Sequence, residues 1–350
     1  MKTQVNQIDF RGQIIYVGID VHKNSWKVAI LWRGELIKVF SQLPEPQILA
    51  RHLKKHYPGA QFHCGYEAGF CGFWIQEQFA SLGINCEVLH AADIPTNDKE
   101  RRQKTDARDC RKIAGCLANP LTQSIHIPSK QLQHDRSVVR ARTKISRDHT
   151  RVRNRINSHI HFYGLPLEMP AYWSRRHVDS LWQWAEQEGD TALALMLEEL
   201  ELLRSLNTKA LRQLRLLAKQ EAYIRFVKHL TSIPGMGLVH SMCFLTEIGD
   251  VRRFKTLDQL CSMIGLIPTT NASGEKQGVG RITKRGKARV KNVIIEAAWV
   301  AVRCDQQLAR TFEHLCQRMK KNQAIIRIAK KLVNRIRTVL LQDRPYVHMV

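Results

Sequence analysis

An α/β domain followed by a mostly helical remainder is the fold class this sequence predicts, and three observations predict it. The first 125 residues alternate short apolar runs with helical periods, starting with the continuous run Ile14-Ile15-Tyr16-Val17-Gly18-Ile19, which suits a buried central strand. Several later stretches, 129–163 and 191–219 among them, carry helical periods much longer than any strand. Hydrophobic content of 44% over 350 residues supports real cores, divided over two or three domains.

Taken in order, Asp20 ends the first run, and strands over 26–31 and 36–40 flank Arg33-Gly34, a hairpin turn. A helix over 46–56 precedes a short strand over 61–66 that ends in Glu67. A helix near 72–82 leads to a strand over 85–89, and after Ile94-Pro95 residues 105–118 read as a helix. Three hairpin-linked strands followed by βα units match the order of a ribonuclease H-like fold, with its first and fourth strands as neighbours. Asp20 and Glu67 then meet at adjacent strand ends, where open α/β sheets place their sites.

Residues 129–163 form a basic helix in which Arg136, Arg140, Arg142, Lys144, Arg147, Arg151, Arg153 and Arg155 face only Asp135 and Asp148 as balance. The two readings are a solvated helix and a polyanion-binding one, and the imbalance favours the second. Pro166 and Pro170 break the chain before a Leu-rich helix over 191–219. Its Met196, Leu200, Leu203, Asn207, Ala210, Leu214 and Leu217 step by four and three, a heptad seam. That seam serves either a dimerising coiled coil, the reading favoured here, or a hairpin within one chain.

The last section begins near Arg225. Ile233-Pro234-Gly235-Met236-Gly237 precedes a helix over 238–248 and resembles a helix-hairpin-helix turn, whose backbone N–H groups grip phosphate. A Gly-rich basic loop follows, with Gly274, Gly278, Gly280 and Gly286 among Arg281, Lys284, Arg285, Lys287 and Arg289. It contains no GxxxxGK[ST], so nucleotide hydrolysis is not supported. Helices over 288–302 and 322–341 complete the chain; the last carries Arg327, Lys330, Lys331, Arg335 and Arg337 as backbone contacts or solvated surface.

Composition narrows the function. With 55 Lys+Arg against 31 Asp+Glu the net charge is +24, and the pI near 10.0 makes nucleic acid the leading partner and an anionic membrane surface the second. The start shows no signal peptide, and the apolar run around Glu296 is too short to span a bilayer. Nine cysteines without a CxxC pair argue against zinc knuckles and a disulfide framework and for a cytoplasmic protein. The pair His159 and His161 has no Cys or carboxylate nearby in sequence and reads as structural or phosphate-facing.

Against this background Asp20, Glu67, Asp106 and Asp109 carry the wrong charge for a polyanion binder. If they converge they repel one another and a phosphate alike, unless a divalent cation lies between. Hard oxygen ligands are what Mg²⁺ or Mn²⁺ prefer. Asp106 and Asp109 stand three apart, on one helix face.

The chain resembles transposases of the insertion sequence 110 family, with its 1111 group and the related Piv-type invertases. The resemblance rests on Tyr16-Val17-Gly18-Ile19-Asp20-Val21-His22-Lys23, Tyr66-Glu67-Ala68-Gly69 and Lys104-Thr105-Asp106-Ala107-Arg108-Asp109. It continues through the Ile233–Gly237 turn and Ala272-Ser273-Gly274 ahead of Gly280-Arg281-Ile282-Thr283-Lys284-Arg285-Gly286, covering nearly the whole chain in the family's order. Cys110 departs from it, standing where a small alanine is usual.

The resemblance implies a RuvC-like domain over 1–125 with Asp20, Glu67, Asp106 and Asp109 as a metal-binding tetrad. It also implies a basic, coiled-coil middle over 126–222 and a C-terminal transposase domain over 223–350 with Ser273 as nucleophile. It implies donor and target DNA and an element-encoded guide RNA as partners, and a homodimer or larger homo-oligomer. The nucleic-acid contacts expected are Lys104, Arg108, Arg140, Arg147, Arg151, Gly235, Gly237, Arg281, Lys284 and Lys287. The expected activity is RNA-guided cutting and rejoining of DNA in the prokaryotic cytoplasm, at the nucleoid. The alternative is a RuvC-like endonuclease acting through activated water.

Overall fold

The structure, a computed structural model, describes residues 9–95, 106–119, 122–165, 173–273, 276–283 and 285–347. The chain divides into two compact units, Met1–Ile127 and Pro128–Val350, so the sections expected as middle and last lie in one unit.

In the first unit β1 (Ile14–Val21), β2 (Trp26–Trp32), β3 (Glu35–Gln42), β4 (Gln61–Glu67) and β5 (Asn85–Leu89) form one sheet of order β3-β2-β1-β4-β5. β1 runs antiparallel to β2 and parallel to β4, and β4 parallel to β5, so the first and fourth strands are neighbours, as expected. Arg33 and Gly34 both take positive φ, 51° and 82°, the twist that a two-residue hairpin turn requires.

Side chains alternate across β1. Ile15, Val17 and Ile19 enter a core shared with α1 (Pro46–His56) and α2 (Trp74–Ser81) through Leu49, Leu53, Ile75 and Phe79. The opposite face is covered by α3 (Asp106–Ala118). That helix lies directly on the strand because Gly18 has no side chain. A Cβ there would stand 2.0 Å from the Cys110 carbonyl oxygen and 2.4 Å from the Ala114 nitrogen.

The second unit opens with α4 (Lys130–Tyr163), capped by the Ser129 hydroxyl, which accepts the Leu132 N–H at 3.2 Å. Its buried Val152, Ile156 and Ile160 pack against α5 (Arg175–Gln187) and α6 (Thr191–Ala218). Leu200, Leu214 and Leu217 of the predicted heptad seam are buried within this same chain, so an intramolecular hairpin takes up the seam. The leucines that α6 leaves exposed are Leu195, Leu202 and Leu216, a different stripe.

A second core gathers α7 (Glu221–Thr231), α8 (Leu238–Ile248), α9 (Leu257–Ile264), α10 (Ala288–Cys304), α11 (Gln306–Cys316) and α12 (Lys321–Gln342). The Gly-rich stretch, read from sequence as a loop, contains a two-stranded hairpin of β6 (Pro268–Ser273) and β7 (Lys276–Ile282). No helix among the described residues is long and apolar enough to cross a membrane.

Candidate active site

The site of the first unit lies where β1 and β4 end beneath α3. Gly18 pairs with Gly65 across the two strands, so two residues further on Asp20 stands level with Glu67. Both share the α3 face, because side chains repeat every two residues along a strand. On α3 the row Cys110, Ala114 and Leu117 rests on Gly18 and Gly65. Asp106 lies one turn ahead of Cys110 on that row and projects past the sheet towards Asp20.

His22 joins them: its Nε2 lies 3.1 Å from Asp20 Oδ2 and 3.6 Å from Asp106 Oδ1. Burial raises the Asp20 pKa, Asp106 and Asp109 raise it further, and His22 opposes them. Glu67 is exposed at the end of β4, and Asp109 is partly buried on α3. Sequence reasoning missed His22 as a site residue, although its signal was present: it stands two residues after Asp20, just past the end of β1.

This donor set fits a divalent ion. Asp20, His22 and Asp106 each offer a ligand atom, all within 4.8 Å of one another. Carboxylates held that close repel unless a cation sits among them, and two oxygens with an imidazole nitrogen suit a borderline ion such as Mn²⁺ as well as Mg²⁺.

Gly18 therefore sets the height of Asp106 and Asp109 above Asp20. Gly18→Ala is expected to push α3 off the strand, costing about 1–3 kcal/mol of stability by overpacking. It should cost about 100-fold in strand cleavage by displacing the acids. Gly65→Ala meets only the flexible tip of Leu117, at 2.8 Å, and is expected to be milder on both counts. Thermal unfolding and cleavage assays on the two variants check the order.

Of the other expected residues, Lys104 and Arg108 belong to the first unit, Arg108 on α3, and the rest scatter over the second. Ser273 ends β6, its backbone paired with Lys276 at the start of β7, and Arg281 lies near the end of that strand. Lys104 and Lys284 lie outside the described residues. Arg108, Arg147 and Arg151 are exposed, the last with Asp148 at 2.8 Å. Gly235, at φ 86°, forms the turn between α7 and α8, where a Cβ would stand 2.1 Å from the Ala297 carbonyl oxygen of α10. Gly237 caps α8, and a cleft of about 700 Å³ runs along this turn beside Arg215 and His240.

Arg140 is not a free cation. Its Nε and Nη2 donate to the two carboxylate oxygens of buried Glu247 at 2.6 and 2.8 Å. Arg136 donates to the Thr246 carbonyl at 2.8 Å and Arg253 to that of Ile248 at 3.2 Å, so the arginines cap the negative end of α8. Lys287 lies 4.0 Å from Glu247; burial lowers its pKa while Glu247 raises it. Arg335 and Arg337, read as surface or phosphate contacts, bind Asp305 and the carbonyls of Phe254 and Lys255 instead.

Comparison with known proteins identifies the family. A DEDD model of the IS110 type, described as Transposase, matches residues 17–164, and one described as Transposase IS116/IS110/IS902 family matches 227–313. A putative transposase, y4qE, of Sinorhizobium fredii is 27% identical over 81% of this chain and 71% of its own length. A probable family 20 transposase of Pseudomonas aeruginosa is 24% identical over 94% and 98%. The transposase for insertion sequence element IS1111A of Coxiella burnetii is 22% identical over 79% and 77%. The DEDD model also suggests a divalent-metal requirement. The chain belongs to the IS110 family of transposases, enzymes of DNA transposition and recombination.

Proposed function

We propose that this transposase cuts and rejoins DNA with two sets of groups, a RuvC-like acidic site at Asp20, Glu67, Asp106 and Asp109 and a serine nucleophile at Ser273. The observation that carries the reading is the meeting of Asp20, His22 and Asp106 at the ends of β1 and α3, in a chain of net charge +24. Asp20, Asp106 and His22 would hold a Mg²⁺ or Mn²⁺ ion, with Glu67 and Asp109 completing the acidic set, and the ion would supply Lewis-acid stabilisation of the charge developing on the phosphate.

The chain's own residues do the rest. Ser273 Oγ attacks phosphorus, one bridging P–O bond breaks, and its oxygen leaves as a DNA hydroxyl. The serine proton passes to water, and the departing DNA oxygen takes one from water. The phosphoserine retains the bond energy for rejoining to a second strand. Lys104, Arg108, Arg147, Arg151, Arg281 and Lys284 hold the nucleic acids, and Gly235 and Gly237 present backbone N–H groups to a phosphate along their cleft. Guide RNA chooses donor and target DNA, and the exposed Leu195, Leu202 and Leu216 stripe is available for a homodimeric coiled coil. The work takes place at the nucleoid, in the cytoplasm.

The test mixes protein, guide RNA and labelled DNA in Mg²⁺ and looks for a protein–DNA adduct that survives denaturation. Wild type is expected to form it and Ser273→Ala to form none. Freely released nicked DNA from Ser273→Ala, at an undiminished rate, would establish the activated-water endonuclease instead.

A further inference from the structure

The acidic site has an aromatic neighbour that the chemistry above leaves unused. Residues 68–73 link the end of β4, where Glu67 stands, to α2. The loop is a tight turn: the Gly72 N–H donates to the Gly69 carbonyl at 3.3 Å, and Gly72 takes φ 61°. It is also tied down on both sides. Before the turn, the Ala68 N–H donates to the Leu89 carbonyl of β5 at 2.8 Å. After it, the hydroxyl of fully buried Tyr66 donates to the Gly72 carbonyl at 2.9 Å.

Between these two ties the turn presents Phe70, 74% exposed. A phenyl ring loses free energy by facing water, and a pinned turn denies it the freedom to fold away. The ring is thus held out to solvent three residues after Glu67, in the turn that leaves the end of β4.

We infer that Phe70 is a stacking platform for a nucleobase next to the phosphate at the acidic site. This rests on the reading of that site as one for phosphodiester chemistry. A strand that brings a phosphate to the carboxylates must bring the adjoining bases past the Glu67–Gly72 turn. Phenylalanine offers a π-face and no hydrogen-bonding group, so it grips a base without reading its identity. That suits an enzyme whose target is chosen elsewhere. Phe70 is a positioning residue: it fixes the strand's register over the acids without touching the reacting atoms.

The test measures binding and leaves cleavage aside. The full chain is titrated in Ca²⁺, in place of Mg²⁺ or Mn²⁺, with a labelled oligothymidylate and with an all-abasic strand of the same length and charge. Phe70→Ala is expected to weaken oligothymidylate binding by about 10-fold or more and to leave the abasic strand within twofold. Phe70→Trp is expected to preserve the preference for bases. An equal loss on both strands, or no loss on either, overturns the proposal. So does a change in sedimentation coefficient with Phe70→Ala, which would assign the ring to a protein contact. Failure of wild type to cut DNA bears on the catalytic reading alone, because these titrations need no turnover.

Discussion

Asp20→Asn is expected to lower strand cleavage about 1,000-fold, the loss of several kcal/mol of charge stabilisation at the phosphate, while the protein remains folded. The substitution keeps the shape of the side chain and its reach to His22 Nε2, now 3.1 Å away. What it removes is one negative charge from a cluster that also holds Asp106 and Asp109. Burial and those two neighbours raise the Asp20 pKa above its unfolded value. An acid shifted in that direction stabilises the fold at low pH and loses that contribution as pH rises through the folded value, so at neutral pH its ionised form strains the native state. Neutral asparagine relieves the strain, and the melting temperature without metal is expected to hold or rise. Mn²⁺ should raise the melting temperature of wild type and leave that of Asp20→Asn unmoved. A variant that loses stability and activity together, or that still responds to Mn²⁺, would show that Asp20 supports the fold and holds no ion.

The sequence made the sheet legible and left much of the charge illegible, for one physical reason. Strand identity is a local property: the apolar run before Asp20 and the short strand before Glu67 announce themselves within a few residues. Their side-by-side order then follows from the hairpin and βα sequence, and with it the meeting of the acids. What a charge does depends on partners far away in sequence. Arg136 and Arg140 read as a polyanion-binding row, yet their partners on α8 are more than a hundred residues downstream. Arg335 and Arg337 are similar cases. The Leu-rich seam of α6 fails in the same way, since heptad spacing specifies a partner helix without saying whose it is; α4 and α5 cover its first half, and α4 with the helices of the second core its last turns, all in the same chain. Only the hairpin of Ser273 was obscured locally, because its glycines break the alternation that marks strands.

The second unit should depend more on Glu247 than on any other single carboxylate. Its side chain is 2% exposed and meets Arg140 at 2.6 Å, with Arg136 at 3.8 Å and Lys287 at 4.0 Å. Burial alone would raise its pKa, but the hydrogen bonds and charge of Arg140, with Lys287 and Arg136 behind, hold it below the usual glutamate value. Glu247→Ala leaves those cations facing one another in a half-buried space and is expected to destabilise the unit by about 3–5 kcal/mol. In a unit of this size each kcal/mol lowers the melting temperature by about 2–4 °C, so a fall of about 10 °C is the result to look for. The pH dependence follows from the direction of the shift. An acid whose folded pKa is depressed contributes fully above its unfolded value, 4.5, and loses that contribution as pH falls through the folded one. The gap between wild type and Glu247→Ala should therefore be constant near neutrality and narrow only in acid. Replacing Glu247 and Arg140 together by leucine and methionine should recover much of the loss, because a buried pair costs most when one half of it is left behind. If the double variant melts no higher than Glu247→Ala, Glu247 serves Arg136, Lys287 and the end of α8 more than it serves Arg140.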